Sequence, residues 1–362
     1  MNLEKIKQIL NTDIRSKKIS LRVVSLFLKQ LSVLINSSIP VDKAVEIIYN
    51  QNIDKKLNKS LENIKNSLSK GLDIYEAFSL EEKAFGTLII SFIRSGQKSG
   101  HMGDILNDLS NFFESEYENK SKIKQAFAYP ILLMIITLIV VFIILKFVFP
   151  VFINIFNQSD IVLPLPTKIL LKISYFLEND LYILLVCIGF FIIAFYFFSK
   201  KENNLLKLYE ILYKLPLIGN FKKTKINYQI SNLMYILING RIPIVKSVQI
   251  IGDGFNNIYM KDIFKKIEND LLMGNTISKS FSNRKFFSNL FVSMLDVGEK
   301  TGSLIETMKK TSEYYVKEYI FKLKKLSEIS EPILIIIMSI VVGFVVFSIA
   351  IPMFDSINAL NY

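Results

Sequence analysis

Two five-residue strings are the part of this sequence that could hold a phosphate group. GQKSG occupies residues 96–100, and GEKTG occupies residues 298–302. A Walker loop needs a Gly, four residues and then Gly-Lys-Ser/Thr, so that backbone amides surround the phosphates and the Lys reaches them. Here Gln97 or Glu299 separates each Lys from the Gly before it, and no Gly stands five positions before either string. We therefore interpret the strings as glycine-flanked turns between helices, and a nucleotide site is not expected.

Other kinds of reaction centre lack the residues that they need. The 362-residue chain has one histidine, His101, and one cysteine, Cys187. A catalytic histidine relay, a multi-histidine metal cluster or an intramolecular disulfide therefore cannot form within one chain. The residues predict no catalytic, metal or cofactor site, which disfavours a membrane-bound enzyme.

The two strings belong to a longer internal repeat. LINSSIPVDKAVEII at 34–48 matches LINGRIPIVKSVQII at 237–251, which sets Pro40 against Pro243 at an offset of 203 residues. From the strings onward the offset is 202. Such a regular match predicts an internal duplication, and each of the two prolines suits the first turn of a helix. Further matched pairs are Gly71 with Gly274, Phe78 with Phe281, Glu116 with Glu318, Tyr117 with Tyr319, Pro130 with Pro332, and Pro150 with Pro352.

Three apolar runs predict helices that cross a membrane. The chain is 51% hydrophobic and has a mean hydropathy of +0.36. The runs occupy residues 131–149, 181–198 and 333–351. Each is close to the roughly 20 residues that span a hydrocarbon core as a helix. Lys146 is the single charged residue in the three runs.

The distribution of lysine predicts the orientation of the spans. Eleven lysines lie near the spans on one side and two on the other, and basic residues favour the cytoplasmic side. The first group is Lys120, Lys122, Lys124, Lys200, Lys201, Lys207, Lys214, Lys317, Lys322, Lys324 and Lys325, and the second is Lys168 and Lys172.

This orientation predicts a multi-pass protein whose N-terminus and two large lobes face the cytoplasm and whose C-terminus is outside. The predicted order is an N-terminal extension (1–19), a helical bundle (20–130), a first span (131–152), an outward-facing loop (153–180), a second span (181–198), a second bundle (199–332), a third span (333–354) and an outward-facing tail (355–362).

Both lobes are predicted to be all-helical. Apolar residues recur at helical spacing in 22–36, and no segment indicates a sheet. Each lobe is expected to form a compact bundle of about six helices with short turns. Gly96 and Gly298 are expected to end helices as left-handed caps, and Gly100 and Gly302 to let the chain turn. Pro130 and Pro332 are placed where each long helix meets lipid and are expected to kink it.

These features together resemble the type II secretion system protein F family, the polytopic platform proteins of type IV pilus and type II secretion machines. The resemblance covers about residues 20–354. It depends on the duplicated IP after LIN, the paired glycine strings, YP and EP entering spans, and LPLPT at 163–167. The family's usual string is Gly-Glu-x-Ser/Thr-Gly, so that Glu299 keeps the pattern and Gln97 departs from it.

The resemblance implies an all-α membrane protein with three spans and two homologous lobes, located in the cytoplasmic (inner) membrane. It implies a platform that couples a hexameric assembly ATPase in the cytoplasm to pilin or pseudopilin transmembrane helices, without enzymatic activity or a cofactor of its own. The lipid bilayer and further copies of the chain are the other expected partners. The basic residues are scattered, so nucleic acid is not expected. The alternative is a small oligomeric transporter or channel.

Two residues leave alternatives open. Glu299 is interpreted as a helix cap rather than a contact to the motor, because capping is the more common role. Lys146 lies four residues before Pro150. Its ammonium is expected to reach the outer interface along apolar neighbours, and the alternative is an ion pair with an acidic group of a pilin helix.

Overall fold

The computed structural model shows a helical chain. It describes residues 18–148, 150–151, 164–179, 182–183, 186, 189–191, 202–216, 218–255 and 257–360. These residues contain no strand, which confirms the predicted all-α class.

Within its described residues, the first half of the chain contains six short helices and one long one. They are α1 (Leu21–Asn36), α2 (Val41–Asn50), α3 (Lys55–Ser69), α4 (Ile74–Ser79), α5 (Glu82–Phe85), α6 (Thr87–Ser99) and α7 (Met102–Ile143), and a π-helical segment at Ile144–Val148 continues α7.

The second half is described as eight helices. They are α8 (Leu165–Asn179), α9 (Glu202–Lys214), α10 (Ile218–Asn239), α11 (Ile244–Gly254), α12 (Ile258–Leu272), α13 (Ile277–Ser282), α14 (Asn289–Thr301) and α15 (Leu304–Leu360).

Polar side chains at the helix starts explain several of these boundaries. The Asp54 carboxylate accepts hydrogen bonds from the backbone N–H groups of Lys56 and Leu57, at 2.9 and 3.0 Å, where α3 begins. At the start of α4, Asp73 and Glu76 form a capping box in which each side chain accepts the other residue's N–H. Such caps satisfy N–H groups that have no partner within the helix.

The two matched sequence stretches fold into the same turn. Pro40 and Pro243 precede α2 and α11 with φ of −55° and −56° and an identical ψ of 143°. Two residues before each proline, Ser38 and Arg241 adopt left-handed φ of 60° and 59°. Each proline is thus the N-cap residue and stands one position before the first turn in which the sequence predicted it.

Contacts divide the chain into two compact units, of which the first contains residues 1–120 and 206–320. Its described residues share one hydrophobic core, to which both halves of the chain contribute, for example Phe27 and Phe78 from the first half and Phe264 and Phe281 from the second. Within this unit α6 packs against α11. The helix that carries GQKSG therefore lies against a helix from the other half.

The second unit contains residues 121–205 and 321–362. Two described helices, Met102–Val148 and Leu304–Pro352, are long and apolar enough to cross a membrane. Their most apolar windows are 6% and 11% buried, so these surfaces are left for lipid or another protein. They contain residues 131–148 of the first predicted span and 333–352 of the third, whereas most of the second, 181–198, lies outside the described residues.

The segment predicted as an outward-facing loop contains α8. Leu170 of α8 is buried against Leu145 of the π-helical segment and Val345 of α15. Thr167 and Ser174 are also buried, and their spacing puts both on the face that contains Leu170. This helix therefore packs against both long apolar helices.

Candidate functional site

Glu299, in the second glycine string, lies beside the N-terminus of α13. Its carboxylate accepts hydrogen bonds from the backbone N–H groups of Ile277 and Ser278, at 2.7 and 3.0 Å, and from the Ser278 hydroxyl at 3.1 Å. The Thr276 hydroxyl accepts the N–H of Lys279 at 3.3 Å. Glu299 and Thr276 together thus satisfy the first three N–H groups of α13, and the negative charge stands at the positive end of the helix dipole.

Gln97, the residue at this place in the first string, makes a smaller version of the same contact. Its side-chain oxygen accepts the N–H of Tyr75 in the first turn of α4, at 3.1 Å. The charge near this helix start comes from Asp73 and Glu76, whose carboxylates form the capping box. Both strings therefore tie a helix to the start of a short neighbouring helix, with different acceptor groups.

The structure corrects the roles that were predicted for the glycines. Gly96 and Gly298 do not end their helices: they lie buried within α6 and α14. The left-handed caps are Gly100, with φ 75°, and Gly302, with φ 68°. The sequence placed the caps four residues early because a glycine that permits close packing looks the same in sequence as one that permits a left-handed turn.

Gly96 and Gly298 instead allow the next helix to approach closely. A Cβ atom on Gly96 would lie 3.0 Å from the Cα of Met102, at the start of α7. On Gly298 it would lie 2.9 Å from the Cα of Leu304, at the start of α15, and would also overlap the Thr307 hydroxyl. Each string thus supplies a packing glycine, an acceptor for a neighbouring helix and a left-handed cap.

The lysine of the second string forms an ion pair within its own helix. The Lys300 ammonium lies 2.7 Å from the Asp296 carboxylate. The hydrogen bond from Lys300 lowers the pKa of Asp296. Partial burial opposes this shift, and the positive charge of Lys300 adds to it. The pair is exposed, so its contribution to stability is small.

Pro130 and Pro332 lie inside the continuous helices α7 and α15. A proline has no N–H, so the carbonyl four residues earlier loses its helical partner. For Pro130 that carbonyl belongs to Ala126, and it accepts a hydrogen bond from the Ser327 hydroxyl of α15 at 3.3 Å. The sequence analysis named the prolines but missed this serine.

The matched prolines at the other end of the apolar helices are compensated in the same way. Pro352 removes the donor for the Ser348 carbonyl, which accepts the Thr167 hydroxyl at 2.7 Å. Near Pro150, the Leu145 carbonyl in the π-helical segment accepts the Ser174 hydroxyl at 3.2 Å. Both hydroxyls come from one face of α8, and hydroxyls of this kind make prolines tolerable in membrane helices. The available signal was a Ser/Thr pair seven residues apart in an apolar segment.

Lys146 lies in the π-helical segment and is exposed. Its ammonium is 5.7 Å from the ring centre of Phe142 and 5.9 Å from that of Phe147, which are cation–π distances. The Lys146 ammonium therefore lies near two aromatic rings of its own helical segment, four residues before Pro150.

The sequence analysis also missed a polar contact within the first unit. The Glu116 carboxylate lies 3.3 Å from the Lys225 ammonium, and the Glu116 side chain is 10% exposed. Burial, together with the nearby Glu116 charge, raises the pKa of Tyr228 to about 12. Tyr319 is also fully buried, whereas its repeat counterpart Tyr117 is 38% exposed.

Among the described residues no group of three potential metal ligands is present.

Comparison with known protein families gives a match in each half of the chain. The sequence model of the family described as Type II secretion system (T2SS), protein F matches residues 27–150 and again residues 230–352. The first match begins within α1 and ends just after the π-helical segment, and the second begins within α10 and ends at Pro352 within α15.

Curated relatives match over most of the chain. The type IV pilus assembly protein PilC of Thermus thermophilus is 25% identical over 344 residues, which cover 94% of this chain and 84% of the relative. PilC of Pseudomonas aeruginosa is 25% identical over 350 residues, with coverages of 95% and 92%. The type II secretion system protein F of Xanthomonas campestris is 23% identical over 337 residues, with coverages of 92% and 83%.

Proposed function

The chain belongs to the type II secretion system protein F family, and from this membership we propose that it is the membrane platform of a type IV pilus or type II secretion-like machine. In this role it couples a hexameric assembly ATPase in the cytoplasm to the assembly of pilins or pseudopilins. The observation that carries the proposal is the double match of the family model, in which each copy joins a helical lobe to a helix long enough to cross a membrane.

We further propose that the protein sits in the cytoplasmic membrane with three spans, including 181–198, with both lobes in the cytoplasm and the C-terminus outside. The asymmetric distribution of lysine supports this orientation. The paired turns at Pro40 and Pro243 support an origin of the two halves by duplication. The platform role requires no catalytic chemistry of its own, because the ATPase supplies the energy.

Photo-crosslinking in native membranes tests the partners. A crosslinking residue replaces Met273, which is 79% exposed in the first unit, or Ile336, which is 59% exposed on α15. We expect the first position to capture the ATPase and the second to capture a pilin-like helix, as identified by mass spectrometry. Capture of neither partner, from an inserted protein at normal level, contradicts the platform role.

A topology reporter tests the orientation. A periplasmic reporter enzyme fused after Tyr362 should be active, and the same enzyme inserted after Gly274 should be inactive. The opposite result would reverse the assignment, and activity at both sites would remove one of the three spans.

A further inference from the structure

A concave site between α6 and α11 carries a concentration of positive charge. It is open to solvent, has a volume of about 230 Å³ and is lined by Arg94, Ser95, Lys98, Ser99, Arg241, Ile242, Pro243 and Lys246. We call this site the basic pocket. Four of its eight lining residues are cationic, and none is acidic. Two of the lining residues, Lys98 and Ser99, belong to the first glycine string. Both α6 and α11 belong to the first unit.

The cationic side chains are not neutralised by acidic neighbours. The Arg94 guanidinium lies 4.8 Å from the ring centre of Tyr75, a contact that restrains it without removing its charge. Lys246 donates to the neutral side-chain oxygen of Gln249 at 2.6 Å. Within the part of the chain that the structure describes, neither Lys98 nor Arg241 has an ion-pair partner. The basic pocket therefore offers four positive charges to a ligand.

The start of α11 adds the positive end of a helix dipole to these charges. Pro243 provides no side-chain cap, and the first turn of the helix contains no acidic residue. In α2, the matched helix, Asp42 occupies the first turn, and the residue at that place in α11 is Val245. The positive end of the α11 dipole therefore favours an anion at the end of the pocket that Arg241, Ile242 and Pro243 line.

The counterparts of the lining residues in the repeat do not have this character. Arg94 and Lys98 correspond to Asp296 and Lys300, which pair with each other at 2.7 Å. Arg241 corresponds to Ser38. Lys246 corresponds to Lys43, whose ammonium lies 3.2 Å from the Glu46 carboxylate. The uncompensated charge therefore belongs to the pocket and is absent from the matched positions of the repeat.

We propose that the basic pocket binds the phosphoryl group of a small anionic ligand. Arginine and lysine beside a free helix N-terminus supply the charge-assisted donors that phosphate oxygens accept. The pocket volume of about 230 Å³ is below the range of about 300–1,000 Å³ that is usual for pockets holding drug-sized molecules, and it suits a phosphate with a small substituent. The first glycine string would thus contact phosphate through Lys98 and Ser99, and not by wrapping it as a Walker loop does. This inference does not depend on the platform role.

Isothermal titration calorimetry on the full chain in a neutral detergent, at low ionic strength, tests the proposal. The probes are inorganic phosphate and ADP, which separate free phosphate from a nucleotide as the source of the group. We expect saturable one-site binding of at least one probe, and affinity that falls as salt is added. Tighter binding of ADP than of phosphate indicates a nucleotide, whereas equal binding indicates phosphate alone.

Two variants and one matched control locate the binding. Arg94→Gln combined with Lys98→Gln should weaken binding at least about tenfold, because each removes a charge-assisted hydrogen bond. The control is Asp296→Asn combined with Lys300→Gln, at the corresponding positions of α14, and it should leave the affinity unchanged. Val245→Asp places a carboxylate in the first turn of α11, as Asp42 does in α2, and should also weaken binding. Circular dichroism should show native helix content in all three proteins.

Several results would overturn the proposal. They are the absence of binding by both probes, an equal loss of affinity in the α6 and α14 double variants, and unchanged affinity in Val245→Asp. Saturable binding of a hexaglutamate peptide, without binding of inorganic phosphate or ADP, would also overturn it. The pocket would then be a docking site for an acidic protein segment.

Discussion

The starts of α4 and α13 solve the same electrostatic problem with different residues. At α13 the negative charge comes from Glu299 of the glycine string, and the helix itself contributes Thr276 and Lys279. At α4 the string contributes the neutral Gln97, and the helix start contributes two carboxylates. The residues that correspond to Thr276 and Lys279 are Asp73 and Glu76.

This comparison explains why the first string can depart from the family's Gly-Glu pattern. A helix N-terminus is stabilised by a nearby carboxylate, whichever segment of the chain supplies it. The first copy has the charge in the capping box, and the second has it in the string. Gln97 is therefore compensated locally, and its neutral side chain leaves the neighbouring basic pocket without an added negative charge.

The packing glycines should show the largest difference between the copies. Gly298→Ala should destabilise the protein by about 3 kcal/mol and Gly96→Ala by about 1 kcal/mol, in the range of overpacked core substitutions. The reason is that the added methyl group meets both the Leu304 backbone and Thr307 in the second copy, but lies at 3.0 Å from Met102 in the first. Thermal unfolding in detergent, followed by circular dichroism, measures both. Equal losses would show that the two helix pairs relax alike.

Glu299→Gln should be the next largest effect. The amide keeps one acceptor oxygen but loses the charge and the second acceptor, so we expect a loss of about 2 kcal/mol, typical of a hydrogen bond to a charged group. Filament or secretion output, measured beside stability, separates the structural role from a motor contact. If output collapsed while the protein stayed folded and inserted, a contact to the motor would be indicated.

Thr167→Val tests the hydroxyls of α8 and should cost about 1 kcal/mol. The change keeps the side-chain volume but removes the hydrogen bond that the Thr167 hydroxyl donates to the Ser348 carbonyl. Ser174→Ala, which affects the Leu145 carbonyl through a longer bond, should cost less. Unfolding in mixed micelles measures both proteins. A larger loss for Ser174→Ala would reverse the order of the two contacts.

Gln97→Glu should stabilise the first copy by no more than about 0.5 kcal/mol, because Asp73 and Glu76 already supply charge at α4. In a protein that also carries Glu76→Gln, the same change should give a clearly larger gain. Equal gains in the two backgrounds would show that the capping box and the string do not compensate for each other.

Tyr228→Phe should have the smallest effect at neutral pH and a distinct effect in alkali. Burial raises the pKa of Tyr228 from 10.0 to about 12, so the unfolded chain loses this proton first. The associated stability is present below pH 10 and is lost as the pH rises towards 12. Urea unfolding between pH 9 and pH 12 should therefore show a shallower decline for the variant. Ser25 is the residue that corresponds to Tyr228 in the repeat, and it exchanges hydrogen bonds with Ser110. Because serine does not titrate in this range, a Ser25→Ala variant is the control.

Local signals in the sequence predicted much of the fold. Pro40 and Pro243 mark helix starts, as predicted, although each is the N-cap residue and not part of the first turn. Apolar spacing predicted the helical class, and residues 131–148 and 333–351 lie in the two long apolar helices. These features depend on a few neighbouring residues, which a single sequence contains.

The candidate sites depended on residues that are distant in the chain. Gly96 either caps a helix or allows Met102 to pack closely against it, and the atom that faces Gly96 decides between these roles. The spacing of residues in the sequence does not identify that atom. The compensation of Pro130 by the Ser327 hydroxyl also joins residues that are far apart, 197 positions in the sequence. The basic pocket combines α6 of one half with α11 of the other, so its charge becomes visible after the packing is known.

The single core of the first unit constrains how the protein is made. Its first part ends at residue 120 and its second begins at residue 206, so the ribosome must add the segment between them before the core can close. At ordinary rates of synthesis of about 5–20 residues per second, this takes roughly 4–17 s. During that interval the apolar faces of the first six helices lack the partners that α11 and its neighbours provide. The first long apolar helix, α7, is therefore synthesised before the core of the first unit can close.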